Sequence, residues 1–116
     1  MKILVTGGAG FIGSNLVKHL LSRKDFFVIN LDKLTYAGNL ESLSEIMTNE
    51  RHVFIKGDIG DRKLVSEVLE RFSPQVVINL AAETHVDRSI DNPSQFIYTN
   101  VHGTLELLEA TLSYWN

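Results

Sequence analysis

Residues 2–13 read Lys2-Ile-Leu-Val-Thr-Gly-Gly-Ala-Gly-Phe-Ile-Gly13, an apolar strand pattern that runs directly into a cluster of glycines. A backbone without Cβ atoms can approach a pyrophosphate closely, and a helix that follows it points its N-terminal N–H groups at the same anion. Gly7, Gly10 and Gly13 have the spacing G-x-x-G-x-x-G. Gly8 in place of Gly7 gives G-x-G-x-x-G. Either register puts one glycine at the turn, one at the phosphate and one where helix and strand cross.

An acid follows the next apolar run, Phe26-Phe-Val-Ile-Asn-Leu-Asp32. Asp32 lies about 20 residues beyond Gly13, the offset expected for a carboxylate that binds the ribose diol of a dinucleotide. The alternative interpretation is a strand-end residue that caps a turn. A Walker phosphate loop is excluded, because Ser14 stands where that loop needs a lysine.

Strand and helix patterns alternate along the chain, without low-complexity stretches. The predicted strands are residues 3–5, 26–31, 52–56 and 75–80, and the predicted helices are residues 12–21, 40–48, a segment capped by Asp61 and ended by Pro74, and 93–114. Such alternation implies parallel strands joined by right-handed helical crossovers. We therefore predict an α/β fold, an incomplete doubly wound parallel sheet of the Rossmann type with strand order 3-2-1-4.

Small or polar residues follow all four predicted strands. They are Thr6-Gly7, Asp32, Gly57-Asp58 and Ala81-Ala-Glu83. The carboxyl ends of parallel strands share one edge of the sheet, so the pattern predicts a ligand crevice there.

Composition and charge exclude several classes of protein. The chain has 116 residues, 44% of them hydrophobic and 22% charged, as is ordinary for one globular domain. The net charge of −3 argues against a nucleic-acid partner. No cysteine is present, which excludes disulfides and thiolate catalysis. The apolar runs are far shorter than a membrane span of roughly 20 residues, and no signal-peptide pattern is visible, so we expect a cytoplasmic protein without membrane contact.

The four histidines are not paired at a metal-ligand spacing, and no metal site is predicted. His19 and His52 are expected at the surface or in an interface.

Two residues after the third strand are candidates for an adenine site. The Asp58 carboxylate can accept from the exocyclic amine while Ile59 packs on the ring, although Asp58 is equally typical of a turn. Asp32 favours NAD over NADP, because a 2′-phosphate beside a carboxylate is repelled. The adjacent Lys33 offsets part of that repulsion.

Several longer strings resemble the dTDP-glucose 4,6-dehydratases of the extended short-chain dehydrogenase/reductase superfamily. The glycine motif and Asn100-Val-His-Gly-Thr104 are shared across that superfamily. The strings Asp32-Lys-Leu-Thr-Tyr-Ala-Gly-Asn-Leu40 and Ala81-Ala-Glu-Thr-His-Val-Asp-Arg-Ser-Ile90 are more specific to nucleotide-sugar dehydratases. The resemblance covers essentially the whole chain.

The resemblance implies a role for many individual residues. Phe11 and Ile12 would lie at the pyrophosphate, and Thr84 and His85 would approach the sugar of the substrate. The alternative interpretation of Glu83, His85, Asp87 and Arg88 is a solvated, mutually paired loop, and without the resemblance we would prefer it for Asp87 and Arg88. The other implied cofactor contacts are Asp32, Lys33, Leu34 and Thr35 at the ribose, Asp58 and Ile59 at adenine, and Leu80, Ala81, Ala82, Glu83, Thr84 and Thr99 toward the nicotinamide.

The resemblance also implies an activity that this chain does not hold in full. Family members use NAD⁺ to oxidise the sugar at C4, eliminate water across C5 and C6, and return the hydride to C6. Their Tyr-x-x-x-Lys pair and Thr-Asp-Glu segment lie beyond Asn116, and none of Tyr36, Tyr98 and Tyr114 has a lysine four residues later. We expect residues 1–116 to be the N-terminal part of the NAD-binding domain, without catalytic residues, of a homodimeric enzyme acting on dTDP-glucose.

Two other functions stay open from the sequence. A UDP-sugar epimerase would share the glycines and Asp32 but not the string from Asp32 to Leu40. A non-catalytic dinucleotide-binding module would need no tyrosine–lysine pair. We also expect the fragment alone to be inactive, and to associate or be marginally stable, since its fourth strand and last helix expose apolar surface.

Overall fold

The computed structural model describes residues 1–9, 11–33, 47–81, 94 and 98–115, with Phe11, Tyr98 and Thr99 described in their backbone only. The strands are β1 (Lys2–Thr6), β2 (Phe27–Asp32), β3 (His52–Lys56) and β4 (Val76–Asn79). The helices are α1 (Phe11–Leu21), α2 (Arg62–Phe72), a π-helical segment (Tyr98–Gly103) and α3 (Thr104–Trp115).

The four strands form one parallel sheet in the order β3-β2-β1-β4, which confirms the predicted order. Thr6 lies opposite Leu31 on one side and Asn79 on the other, and Asp32 lies opposite Lys56. The carboxyl ends of all four strands therefore reach the same edge of the sheet. Whatever follows each strand in sequence is brought to that edge.

Two hydrophobic clusters cover the two faces of the sheet. On one face, Ile3, Val5 and Val28 pack with Val17 and Leu21 of α1. The opposite face presents Leu4, Ile29 and Leu31 to residues from α2 and α3. Each strand therefore supplies alternate residues to two buried layers, and this explains why the strands read as unbroken apolar runs.

Helix α2 begins after the predicted cap, Asp61. Its last helical residue is Phe72, although Pro74 alone would allow the helix to continue to Ser73. The Asp61 carboxylate accepts a hydrogen bond from the Leu64 N–H at 3.1 Å, an N-cap contact. Ser73 has a left-handed backbone, with φ of 50°, and its N–H donates to the Leu69 carbonyl. The helix thus closes at Ser73, and Pro74 follows the closure.

One helix prediction differs from the structure, and a second is described only at its C-terminal end. Residues 98–103 form a π-helix rather than the first part of a continuous α-helix, and regular α-helix begins only after the buried Gly103. Glycine is among the residues that favour the α-helix least, so Gly103 is a suitable position for the change from π-helix to α-helix. The predicted helix over 40–48 lies mostly outside the described residues, and Met47 and Thr48 lie in a turn.

None of the helices within the described ranges is long and apolar enough to cross a bilayer.

Candidate dinucleotide-binding site

The turn after β1 depends on a residue without a side chain at Gly7. Its φ is +75°, a left-handed conformation that is strained for any residue with a Cβ. A Cβ added there would lie 2.6 Å from the Leu80 carbonyl carbon and 2.7 Å from the Ala81 nitrogen, both backbone atoms of the segment after β4. The Gly7 N–H also donates to the Leu31 carbonyl at 2.9 Å. The main chain of the turn is thus packed between β2 and β4.

Helix α1 starts in direct contact with this turn. A Cβ on Gly13 would overlap the Gly7 carbonyl oxygen and would lie 2.8 Å from the Gly8 Cα. Helix and turn can approach each other this closely only because both surfaces are bare backbone. The arrangement places Gly7 at the tight turn and Gly13 where helix and strand cross, as expected from the G-x-x-G-x-x-G register.

The N-terminus of α1 faces the same edge of the sheet. The N–H groups in the first turn of an α-helix have no acceptor inside the helix, and they carry the positive end of its dipole. The first turn of α1 holds no acidic side chain. Ile12, predicted to lie at the pyrophosphate, is 71% exposed there. The geometry suits an anion that accepts from main-chain donors.

Asp32 ends β2 beside the turn and is 8% exposed. Its Oδ2 accepts a hydrogen bond from the Ala9 N–H at 2.9 Å, so the carboxylate is tied to the glycine turn. A carboxylate held in this position can also accept from the hydroxyls of a ribose whose phosphate lies on that turn. The turn-capping and ribose-binding interpretations of Asp32 are therefore compatible in one geometry.

Lys33 and Asp58 form an ion pair across the ends of β2 and β3. The Lys33 Nζ lies 3.5 Å from Asp58 Oδ2, and both side chains are about one-third exposed. Asp58 Oδ1 accepts from the Gly60 N–H at 2.8 Å, as a turn aspartate does. The turn interpretation of Asp58 is thus part of the structure, and the carboxylate is also presented toward Lys33.

Ile59 does not present its side chain to a ligand. It is 3% exposed and belongs to the core cluster with Leu4 and Leu31. The expectation that this side chain packs on an adenine ring is corrected, because burial in the core leaves it almost no surface for a ring. A contact between Ile59 and a ligand would have to run through its main chain.

The end of β4 completes the described part of the crevice. The Leu80 N–H donates to the Thr6 carbonyl at 2.9 Å, which carries Leu80 and Ala81 past the turn at Gly7. The Thr6 hydroxyl donates to Asn79 Oδ1 at 2.5 Å, and the same oxygen accepts from the Ala81 N–H at 3.2 Å. Asn79 therefore fixes how the chain leaves β4, directly beside the glycine turn.

Several predicted site residues cannot be placed. Gly10, Leu34, Thr35, Ala82, Glu83, Thr84 and His85 lie outside the described residues, as do Asp87 and Arg88, and the side chains of Phe11 and Thr99 are also outside.

Sequence reasoning missed two asparagines at the site. Asn30 is fully buried, and its side chain occupies the space that a Cβ on Gly8 would need. Asn79 holds Thr6 and Ala81, as described above. Both stand in the tetrapeptide Val-Ile-Asn-Leu, at residues 28–31 and 77–80 on the strands that flank β1. A polar residue at the same place in two apolar strands is the signal that could have identified them.

His52, predicted to lie at the surface or in an interface, is buried within the protein. It is 7% exposed, and its Nε2 lies 3.4 Å from Asn30 Nδ2. Burial lowers the pKa of His52, since the charged form would lose its hydration. The structure therefore favours a neutral imidazole behind the glycine turn.

No group of three or more potential metal ligands occurs within the described ranges.

Comparisons with known proteins agree with this geometry. Residues 4–116 match the family model described as GDP-mannose 4,6 dehydratase. The chain is 58% identical over 112 residues to a dTDP-glucose 4,6-dehydratase of Xanthomonas campestris, which covers 97% of the chain and 32% of that protein. The chain spans about a third of the length of the curated relatives it matches.

Solved structures of two activities share the fold. A dTDP-glucose 4,6-dehydratase from Streptomyces venezuelae, with NAD and TYD bound, matches with a TM-score of 0.92 and 44% identity, over 99% of this chain and 37% of that one. A UDP-glucose 4-epimerase from Thermotoga maritima, with UDP-glucose, matches with a TM-score of 0.87 and 37% identity, over 98% of this chain and 35% of that one.

Proposed function

Because this chain belongs to the GDP-mannose 4,6 dehydratase family, we propose that it is the cofactor-binding part of an NAD⁺-dependent dehydratase. The whole protein would convert dTDP-glucose to dTDP-4-keto-6-deoxyglucose and water. Residues 1–116 would form the N-terminal part of the NAD-binding domain. The observation that carries the proposal is the buried Asp32, tied to a glycine turn that admits no Cβ, in a chain 58% identical to a dTDP-glucose 4,6-dehydratase.

The turn after β1, the start of α1 and the ends of β2, β3 and β4 would each contribute to binding the cofactor. The bare turn at Gly7 and the first turn of α1 would hold the pyrophosphate through main-chain N–H groups. Asp32 would accept from the adenosine ribose, with Asp58 and the main chain of Ile59 at adenine. Leu80 and Ala81 would continue the site toward the nicotinamide. When bound, NAD⁺ supplies an acceptor for the hydride from C4 of the sugar and a donor that returns it to C6.

The substrate would enter beside the end of β4. The hydrogen bonds of Asn79 to Thr6 and Ala81 direct the chain toward residues 82–85, which include the predicted substrate contacts Thr84 and His85. Asn79 would thus orient the substrate-facing segment without touching the sugar. The acid–base residues would come from parts of the whole protein outside this chain.

The activity is tested on the full-length protein with dTDP-glucose. We expect a product lighter by one water, with the alkaline absorbance of a 4-keto-6-deoxy sugar. Interconversion of UDP-glucose and UDP-galactose instead would support the epimerase, which the Thermotoga maritima structure keeps as the second candidate. Binding of NAD⁺ without turnover of either sugar would indicate a non-catalytic module.

The cofactor contact is tested by Asp32→Ala in the full-length protein. We expect NAD⁺ affinity to fall by about 30-fold in calorimetric titration, because hydrogen bonds to a charged acceptor contribute about 1.5–3 kcal/mol. Asp25→Ala is the matched control, since Asp25 is an exposed acid at the other end of the sheet. Equal affinities of the two variants would exclude Asp32 from the site.

We further propose that the whole protein is a cytoplasmic homodimer that pairs through α3 and the π-helical segment before it. Val101, Leu105, Leu108, Leu112 and Trp115 are all about half exposed or more, at helical spacings of four and three residues. A second, buried stripe of the same helix includes Leu107 and Ala110, which face the core. The exposed stripe has the periodicity of a helix that packs on another helix.

Leu108→Glu in the full-length protein is expected to convert the dimer to monomer in light scattering, because the charge would be buried in the contact. Ser113→Glu adds the same charge at an exposed position away from the stripe and should leave the dimer intact. A dimer that survives Leu108→Glu would contradict this interface.

A further inference from the structure

Four charged side chains lie where β2 and β3 end, and one of them is the exposed Lys56, which lies opposite Asp32 in the sheet. Asp32 is buried and accepts from the Ala9 N–H, while Lys33 and Asp58 are half-buried and lie 3.5 Å apart. The Gly57 N–H donates to the Asp32 carbonyl at 3.0 Å, which brings the segment containing Asp58 alongside Asp32 and Lys33. Two negative and two positive charges thus lie at the part of the site that would receive the adenosine ribose.

The Asp58 carboxylate is positioned by its own turn rather than by Lys33. Its Oδ1 accepts from the Gly60 N–H at 2.8 Å, and the Asp58 carbonyl accepts from the Asp61 N–H at 3.0 Å. Asp61 in turn caps α2 through the Leu64 N–H. The Asp58 carboxylate is fixed by its turn, whereas the Lys33 side chain is long and can adjust. The Lys33 ammonium is therefore held on the side of β3, where Asp58 lies.

This arrangement bears on the choice between NAD and NADP. The two dinucleotides differ by a phosphate on the 2′-oxygen of the adenosine ribose, which carries a charge of about −1.5 to −2 at neutral pH. Lys33, next to the ribose-binding acid in the chain, is one cation that could neutralise this phosphate, and it is paired with Asp58. With Lys33 paired to Asp58, its ammonium would not offset the repulsion between this phosphate and the Asp32 carboxylate.

We propose that Asp58 sets the preference for NAD⁺ over NADP⁺ by holding the Lys33 ammonium away from the 2′ position. The inference rests on the proposed function, since it takes the ribose to lie on Asp32. Asp58 is then a positioning residue for cofactor specificity, in addition to any contact with adenine. The ion pair is about one-third exposed, so its effect is expected to be a modest factor rather than an absolute switch.

The test is a double-mutant cycle on the full-length protein, with calorimetric dissociation constants for NAD⁺ and NADP⁺. The variants are Asp58→Asn, Lys33→Met and both together. Asparagine keeps an oxygen that can accept from the Gly60 N–H, so the turn is preserved. The ratio of the two dissociation constants is the readout, because a lost adenine contact would weaken both dinucleotides equally.

Asp58→Asn is expected to raise the affinity for NADP⁺ relative to NAD⁺ by about fivefold in the presence of Lys33. With methionine at position 33, the same substitution is expected to change the ratio by less than about twofold. Equal gains in both backgrounds would overturn the proposal, because Asp58 would then act through its own charge alone. An unchanged ratio in Asp58→Asn would also overturn it.

Failure of the proposed function gives a different result. A wild-type protein that binds neither dinucleotide would refute both proposals. A wild-type protein that binds NAD⁺, with no coupling between positions 33 and 58, would refute only the present one. Circular dichroism and thermal melts of each variant verify that the measured protein is folded, and Lys33→Met supplies a partly exposed substitution that leaves the turn at Asp58 intact.

Discussion

The two ends of helix α1 differ in the groups that contact them. At the N-terminus, the first turn holds no acidic side chain and presses its Gly13 against the bare turn at Gly7 and Gly8. At the C-terminus, Arg51 reaches in from a distant part of the chain. Its guanidinium donates to the carbonyls of Leu21, Arg23 and Phe26 at 2.7 to 3.0 Å.

The N-terminus of α1 is therefore the end concerned with cofactor binding, and its C-terminus is the end concerned with the stability of the fold. At the C-terminus of α1, the carbonyl of the last helical residue, Leu21, receives a cation of the protein itself, as the dipole of the helix favours. The positive end at the N-terminus lies at the sheet edge where polar groups from β2, β3 and β4 converge. Substitutions at the first end should therefore act on cofactor affinity, and substitutions at the second should act on folding.

The largest expected effect is that of Gly13→Ala at the binding end. The added methyl would overlap the Gly7 carbonyl oxygen, so turn and helix would have to move apart. We expect NAD⁺ affinity in calorimetric titration to fall by about 100-fold, in line with an overpacking cost of about 1–3 kcal/mol.

Gly57→Ala is the control for this prediction. There an added Cβ meets chiefly the terminal methyl of Leu64, which can rotate away, and we expect less than about a threefold change in affinity. Wild-type affinity in Gly13→Ala would show that the close contact of helix and turn is not needed for binding.

Arg51→Met should give a smaller effect, at the other end of the helix. The loss of three charge-assisted hydrogen bonds to main-chain carbonyls is expected to lower the free energy of unfolding by about 1–2 kcal/mol in urea titrations. Affinity of the folded protein for NAD⁺ should stay the same. Arg23→Met is the control, since the Arg23 side chain is exposed and its guanidinium carbon lies 5.8 Å from the centroid of the Phe26 ring. A loss of cofactor affinity in Arg51→Met with an unchanged free energy of unfolding would contradict the assignment of this end of α1 to stability.

His52, next to Arg51, should give the smallest effect, and one that depends on pH. Burial lowers its pKa, so the folded protein binds the proton less readily than the unfolded chain does. The free energy of unfolding should therefore fall as pH drops through about 6.5, and level off below the pKa of the folded state. Between pH 7.5 and 5.5 we expect a loss of less than about 1 kcal/mol that is absent in His52→Gln.

His19→Gln, at an exposed position of helix α1, is measured alongside as the reference substitution. A wild-type pH dependence in His52→Gln would mean that other groups are responsible.

Prediction from the sequence worked best where local pattern is sufficient. β3 has the predicted bounds, His52–Lys56, and the Asp61 cap and the strand order are also as predicted. An apolar run, a capping acid and the alternation of strands and helices are all visible in short windows of sequence. The exposed apolar stripe of α3 was likewise visible, because its spacing follows the helical period.

Prediction was weaker where one residue depends on a partner far away in the chain. His52 was expected at the surface or in an interface, but it is buried and lies against Asn30 on the neighbouring strand. Ile59 looked available to a ring, but the packing of α2 and the sheet takes its side chain into the core. The π-helical turn before Gly103 has no local signature comparable to an α-helical period.

The sequence alone determined that a glycine turn and an acid lie at one edge of a parallel sheet. Both follow strands, and the alternation of strands and helices along the chain makes those strands parallel. Tertiary structure alone decided that Asp32 is tied to Ala9, that Lys33 pairs with Asp58, and that Arg51 closes α1. The physical reason is that short-range patterns set which backbone groups form strands and helices. Side-chain partners are set by distances between elements, which no single segment contains.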